Sequence, residues 1–133
     1  MKKLILILVS LILLAGCQEQ AIPAEQPDVV ENVTIQISDI TPSGATVTIT
    51  DTNETPYIYG QWYKIQRKTD QGWQDLNTAN KDYGFEAIGY FPNANGQVKF
   101  TINWMWLYGE LPSGTYRLWK EAGTQKICAQ FTI

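Results

Sequence analysis

From Val33 to Ile133 the apolar residues repeatedly fall on every second position, the spacing that lines one face of an extended strand. Val33, Ile35 and Ile37 alternate with Thr34, Gln36 and Ser38, and Ala45, Val47 and Ile49 alternate with Thr46, Thr48 and Thr50. Val98, Phe100, Ile102 and Trp104 alternate with Gln97, Lys99, Thr101 and Asn103, while Ile127, Ala129, Phe131 and Ile133 share a face at the C-terminus. The run Tyr57 to Lys68 reads as a longer strand, turning at Asp70-Gln71-Gly72 into a short one at Trp73 to Leu76. Phe85 to Phe91 reads as a further strand. Thr41-Pro42-Ser43-Gly44, Pro92 to Gly96, Leu111-Pro112-Ser113-Gly114 and Glu121 to Thr124 carry turn chemistry. No amphipathic helix is predicted after the first sixteen residues. Seven to eight short strands joined by turns predict an all-β chain, an antiparallel β-sandwich.

The N-terminus has a different character. Lys2 and Lys3 precede a run from Leu4 to Leu14 that is apolar apart from Ser10. As a helix that run rises only about 16 Å, roughly half of a hydrocarbon core. It is too short to span and has the right length for a secretory signal. Leu13-Leu14-Ala15-Gly16-Cys17 resembles the lipobox of bacterial lipoproteins, with small residues before an obligatory cysteine. The reading is a signal helix over 1–16, cleaved before Cys17, with the Cys17 thiol taking a diacylglyceryl thioether. An ordinary signal peptide and an uncleaved anchor are the alternatives. Acylation would place the protein on the extracytoplasmic side of the cell membrane, held by its lipid.

Residues 17–32 then form the lipidated cysteine and a tether, rich in Gln, Glu, Ala and Pro with no periodic apolar face. The folded domain is predicted over 33–133. Lys2 and Lys3 leave with the signal, so eight basic side chains face 13 acidic ones, a mature net charge of −5. Such a balance offers no footprint for nucleic acid. With Cys17 acylated, Cys128 has no partner in the chain, so no disulfide staples the domain and Cys128 reads as a packing residue.

Three segments carry a family resemblance. They are Tyr59 to Lys68, Gly72-Trp73, and Tyr108-Gly109-Glu110-Leu111-Pro112-Ser113-Gly114-Thr115-Tyr116-Arg117-Leu118. Together they resemble the bacterial immunoglobulin-like domain of small Firmicutes surface lipoproteins, over roughly Val33 to Ile133. The resemblance implies an immunoglobulin-like sandwich and transfers no activity to any residue. This chain departs from it at Gln66, where an acidic residue is expected before the basic pair. Leu111-Pro112-x-Gly114-x-Tyr116 also resembles the tyrosine corner of Greek-key sandwiches, with Tyr116 pinning the turn. By analogy with immunoglobulin domains, Trp62 is expected to anchor the core.

The chain holds no histidine, which removes the usual general base, serine and cysteine triads, and most zinc sites. Asp51 with Glu54, and Asp70 with Asp75, sit in turns where carboxylates usually face solvent, and neither pair reads as catalytic. Asp51 to Glu54 matches no defined calcium-ligand spacing. The expectation is no enzyme and no cofactor. Five Trp and seven Tyr are many for one domain. Both faces between Tyr57 and Tyr63 hold rings, so some rings are expected at the surface, where aromatics anchor partners or stack on sugars. The alternative is that they wrap the sandwich edges. Tyr57, Tyr59, Trp106 and Tyr108 are the candidate binding residues. Two functions follow: a protein-interaction or envelope-organising module, and a glycan- or wall-binding module that needs coplanar exposed rings.

Overall fold

The computed structural model describes residues 25–133; the signal segment, Cys17 and the first part of the tether lie outside the described residues. Seven strands and one helical turn follow one another: β1 (Val33–Thr41), β2 (Gly44–Asp51), β3 (Lys64–Thr69), β4 (Gly72–Asp75), β5 (Gln97–Asn103), α1 (Met105–Tyr108), β6 (Thr115–Ala122) and β7 (Gln125–Thr132). All pairings are antiparallel. They give a three-stranded sheet ordered β1-β2-β5 and a four-stranded sheet ordered β4-β3-β6-β7. No helix among the described residues is long and apolar enough to cross a membrane.

The alternation read from the sequence sets which faces meet. Ala45, Val47 and Ile49 of β2 and Val98, Phe100 and Ile102 of β5 are buried, with exposed Lys99, Thr101 and Asn103 between them. They pack on Ile65, Tyr116, Leu118, Ile127 and Phe131 from the other sheet. Trp104 continues the β5 phase into the core and is fully buried. Its indole N–H donates to the Pro42 carbonyl at 2.8 Å, and its ring centroid lies 5.6 Å from Phe131. The Pro42 turn must pass close to β5, and Gly44 permits it: a Cβ there would collide with the Ile102 carbonyl.

At the same end of the sandwich the Tyr116 hydroxyl donates to the Pro112 carbonyl at 2.6 Å, and its ring stacks on Phe131. Tyr116→Phe removes one hydrogen bond and leaves the ring in place. The expected loss is about 1 kcal/mol in a denaturant titration. A titration that overlays the wild type would show the bond to be energetically idle.

Four expectations are corrected. The run Tyr57 to Lys68 is not one strand, because ladder pairing begins only at Lys64. Upstream, side chains take the backbone groups a ladder would use: Asp51 accepts the Tyr57 N–H at 2.9 Å, and Lys120 Nζ donates to the Gly60 carbonyl at 2.6 Å. Phe85 to Phe91 likewise makes a single bridge, Tyr90 to Tyr59. Trp62 does not anchor the core. It is half-buried, with the Lys126 ammonium 5.6 Å from its ring centroid, and the tryptophan of the core cluster is Trp104 instead. Finally, the part of the tether from Glu25 to Asn32 lies against the domain. Asp28 exchanges bonds with Lys126, its N–H reaching the Lys126 carbonyl and its carboxylate accepting the Lys126 N–H, both at 2.8 Å. Glu25 pairs with Lys64 at 2.8 Å, its carbonyl accepts from Arg117, and Val30 enters the core at 7 % exposure.

Lys120 faces inward from β6 and is 1 % exposed. Its ammonium sits 3.8 Å from the Phe100 ring centroid. Burial lowers its pKa to about 8, with Glu121 opposing only in part. The folded state therefore releases this proton at a lower pH than the unfolded chain, whose lysine keeps it to about 10.4. Between those values the unfolded state binds more protons, so stability rises with pH from about 8 to about 10. Above that range the buried tyrosines, whose phenols are raised, act in the opposite sense. The melting temperature is expected to climb over this window in wild type and to lose that climb in Lys120→Met. Equal slopes in the two proteins would remove Lys120 as the cause.

Candidate functional site

The two sheets leave one side of the sandwich open, between the free edge of β5 and the chain leading into β3. The long connection between β4 and β5 runs across this side, and a groove of about 320 Å³ remains beside it. Gln61 and Tyr63 form one wall, Lys99 to Asn103 the opposite wall, and Phe85, Tyr90 and Trp106 the aromatic lining. Each ring is held by a local cause. The Asn103 side chain accepts the Met105 N–H at 3.0 Å and starts the turn of α1, which buries Leu107 and leaves Trp106 48 % exposed. Tyr90 is fixed by its bridge to Tyr59, by an edge contact on Phe100 at 5.4 Å, and by Gln61 Nε2 donating to its hydroxyl at 3.0 Å.

The rings around the groove meet edge to face. Phe85 and Trp106 lie 5.6 Å apart at 75°, Tyr63 and Phe85 5.3 Å apart at 65°, and Tyr83 and Trp106 6.5 Å apart at 66°. Tyr63 is 5 % exposed, and its hydroxyl is the one buried side-chain polar atom among the described residues without a hydrogen-bond partner. Burial pushes its phenol far up, so it holds its proton throughout the physiological range. The Trp106 indole N–H approaches it without reaching hydrogen-bond geometry. An N–H could in any case only donate, so the Tyr63 O–H lacks an acceptor.

The four candidate binding residues do not form one surface. Trp106 lines the groove. Tyr108 stands just behind it, half-buried, with its ring 6.5 Å from Tyr63 and its hydroxyl accepting the Ile65 N–H at 3.3 Å. Tyr59 is fully buried and donates to Asp51 at 2.8 Å, which removes it from any binding surface. Tyr57 lies at the opposite end of the sandwich, half-buried against Gly123 in the β6–β7 turn. Sequence reasoning missed the central groove residues, Tyr63 and the polar edge of β5. The signal available was the run of exposed polar residues on a strand whose other face is apolar.

Asp51 was also expected at the surface, yet it is 2 % exposed. Its two oxygens accept from the Asn53 N–H, Asn53 Nδ2, the Tyr57 N–H and the Tyr59 hydroxyl. Burial alone would raise this carboxyl, but those bonds together outweigh it and hold the group below the usual carboxylate range. A second cleft, about 420 Å³, runs between Asp51 to Pro56 and Pro92 to Gly96. The donors aimed at Asp51 are all used on its own carboxylate, which makes it a structural anchor of this loop. Among the described residues there is no cluster of three or more groups able to hold a metal.

The outer face of the four-stranded sheet carries a ladder of cations and indoles. The Arg117 guanidinium lies 4.6 Å from the Trp73 and Trp119 ring centroids. Gln66 sits at its centre, its Oε1 accepting from Arg117 Nε at 2.7 Å and Trp119 Nε1 at 2.9 Å, and its Nε2 donating to Asp75 at 2.8 Å. An acidic residue at this position would face Asp75 with no proton between them, which accounts for the glutamine. Cys128 lies on this face, half-buried, with its thiol pKa pushed up by burial, contrary to what a reactive nucleophile needs.

The bacterial Ig-like domain family matches residues 30–132, and a prokaryotic membrane lipoprotein lipid attachment site matches residues 1–18. No curated protein and no solved structure matches the chain. The β1-β2-β5 and β4-β3-β6-β7 sheets are the two layers that such a domain requires, and the chain belongs to the bacterial Ig-like domain family, carried on a lipid-anchored membrane lipoprotein.

Proposed function

We propose that acylation at Cys17 holds the chain on the extracytoplasmic face of the membrane, where its domain binds an envelope protein through the groove beside β5. The observation that carries this reading is the arrangement of Trp106, Phe85, Tyr83 and Tyr63 at steep angles around a recess. Rings set edge to face line a recess that a partner's side chain can fill, and aromatic-lined pockets are where binding energy concentrates at protein interfaces. Stacking on a sugar needs a flat, exposed ring face, and Tyr57 and Tyr59 lie away from Trp106 and Tyr108. The work is binding and not catalysis: the carboxylates suggested by the sequence are tied up in structural bonds or stand in turns.

A photo-crosslinking phenylalanine derivative placed at Trp106 in the full-length lipoprotein tests this in intact cells, with the same probe at Ile40, on β1, as control. A discrete protein adduct from position 106 alone is the expected result. Equal labelling from both positions, with a saturable fluorescence quench by solubilised peptidoglycan that disappears in Trp106→Ala, would replace this reading with glycan binding.

A further inference from the structure

We propose that the groove takes an extended, acidic peptide segment that adds to the open edge of β5; this rests on the protein-binding reading and specifies its ligand. Three independent features converge on that chemistry. The first is the phase of the β2–β5 ladder. Asp51 N–H bonds to the Gly96 carbonyl and Trp104 N–H to the Ser43 carbonyl, and both pairs belong to the narrow, mutually bonded series. The residues between them in that series, Val98, Phe100 and Ile102, therefore direct their backbone groups at β2. Lys99, Thr101 and Asn103 direct theirs the other way. Gln97 closes its own outward groups on Asn93, and among the described residues no strand pairs with the remaining three. Outward N–H and C=O groups at alternate residues, along a groove wall, match the backbone of an added strand.

The second feature is the Tyr63 hydroxyl. It is a buried donor without an acceptor, carried by a residue that lines the groove. Such a group costs stability unless something completes it, and a peptide carbonyl or carboxylate seated in the groove does so. The third is charge. Among the described residues Lys99 is the only charged one lining the groove, and it has no carboxylate partner there. On a domain that is acidic overall, this favours an acidic side chain on the incoming strand. Phe85, Tyr90 and Trp106 then receive the apolar residues that alternate with it.

The experiment pans a display library of random linear peptides on the full mature lipoprotein in detergent, with the Lys99→Glu lipoprotein as counter-target. Both variants used here, Lys99→Glu and Tyr63→Phe, alter groups with no internal bond, and their melting curves are checked first. Enriched peptides are expected to alternate apolar and polar residues around an acidic one. They should bind Lys99→Glu about tenfold more weakly and Tyr63→Phe about fivefold more weakly. Binding is expected to slow amide exchange at Lys99, Thr101 and Asn103 and to vanish when the peptide's central amides are N-methylated. No peptide that tells wild type from Lys99→Glu would overturn the proposal. So would a bound peptide that leaves those three amides unprotected or survives N-methylation. A protein adduct at position 106 together with a failed selection would leave the protein-binding reading standing and remove only the added strand. Displacement of selected peptides by peptidoglycan fragments, with no protein adduct, would remove both.

Discussion

Trp104→Ala is expected to lower the unfolding free energy by about 3–5 kcal/mol, the range for emptying a fully buried aromatic site. Three losses combine. The ring is completely inaccessible, it packs on Phe131 between the two sheets, and its N–H shares the Pro42 carbonyl, at the turn that joins β1 to β2, with the Leu111 N–H. The informative comparison is Trp62→Ala. Trp62 is half-buried and capped by Lys126, so its loss is expected to cost about 1 kcal/mol or less. Urea titrations of the two variants check the ranking. A cost at Trp62 equal to that at Trp104 would mean that the core is centred elsewhere.

The second large effect is expected at Asp51. Asp51→Ala leaves the Tyr59 hydroxyl and the Tyr57 N–H without their acceptor, while Asn53 keeps only its side-chain bonds to Glu31 and Asn32. Two donors left unsatisfied in a buried setting imply a loss of about 3 kcal/mol. Asp51→Asn keeps one acceptor oxygen and is expected to lose about half as much. The carboxyl also adds a pH dependence. Its folded pKa lies below the ordinary value near 3.8, so its contribution is complete well above that value. The contribution fades as pH falls through the ordinary value towards the folded one, because the unfolded chain takes up the proton first. Wild type is therefore expected to lose stability over that acid range more steeply than Asp51→Asn. Parallel acid profiles would show that the charge itself contributes nothing.

These two residues mark what was and was not legible in the sequence. The faces of β2, β5 and β7 followed from alternation, because a period of two leaves one solution for which side is buried. Trp104 inherited its place from that phase. Trp62 could not be placed the same way, since the chain from Tyr57 to Tyr63 is not paired as a strand and has no fixed phase. What prevents the pairing are side chains remote in sequence. Lys120 reaches Gly60 across 60 residues, a contact that leaves no local pattern. Asp51 reads as a turn carboxylate by composition, and only the return of Tyr59 beneath it buries it. The groove was half visible: Trp106 stood out as one ring too many for the core, while Tyr63 and the edge of β5 needed the two sheets assembled. Glu25 to Asn32 have the composition of a linker, yet Asp28 finds Lys126 across 98 residues and docks.

That docked segment decides how a pull on the anchor reaches the fold. With Cys17 acylated, only residues 18–24 separate the lipid from Glu25, a reach of at most about 25 Å. Force from the membrane would arrive first at the Glu25 and Asp28 clamp on Lys64, Arg117 and Lys126, and so on β3, β6 and β7. Val30 and β1 would carry no load until that clamp gave way. A few ion pairs and hydrogen bonds on the outer face would then act as a mechanical fuse, yielding slack before tension reached the core.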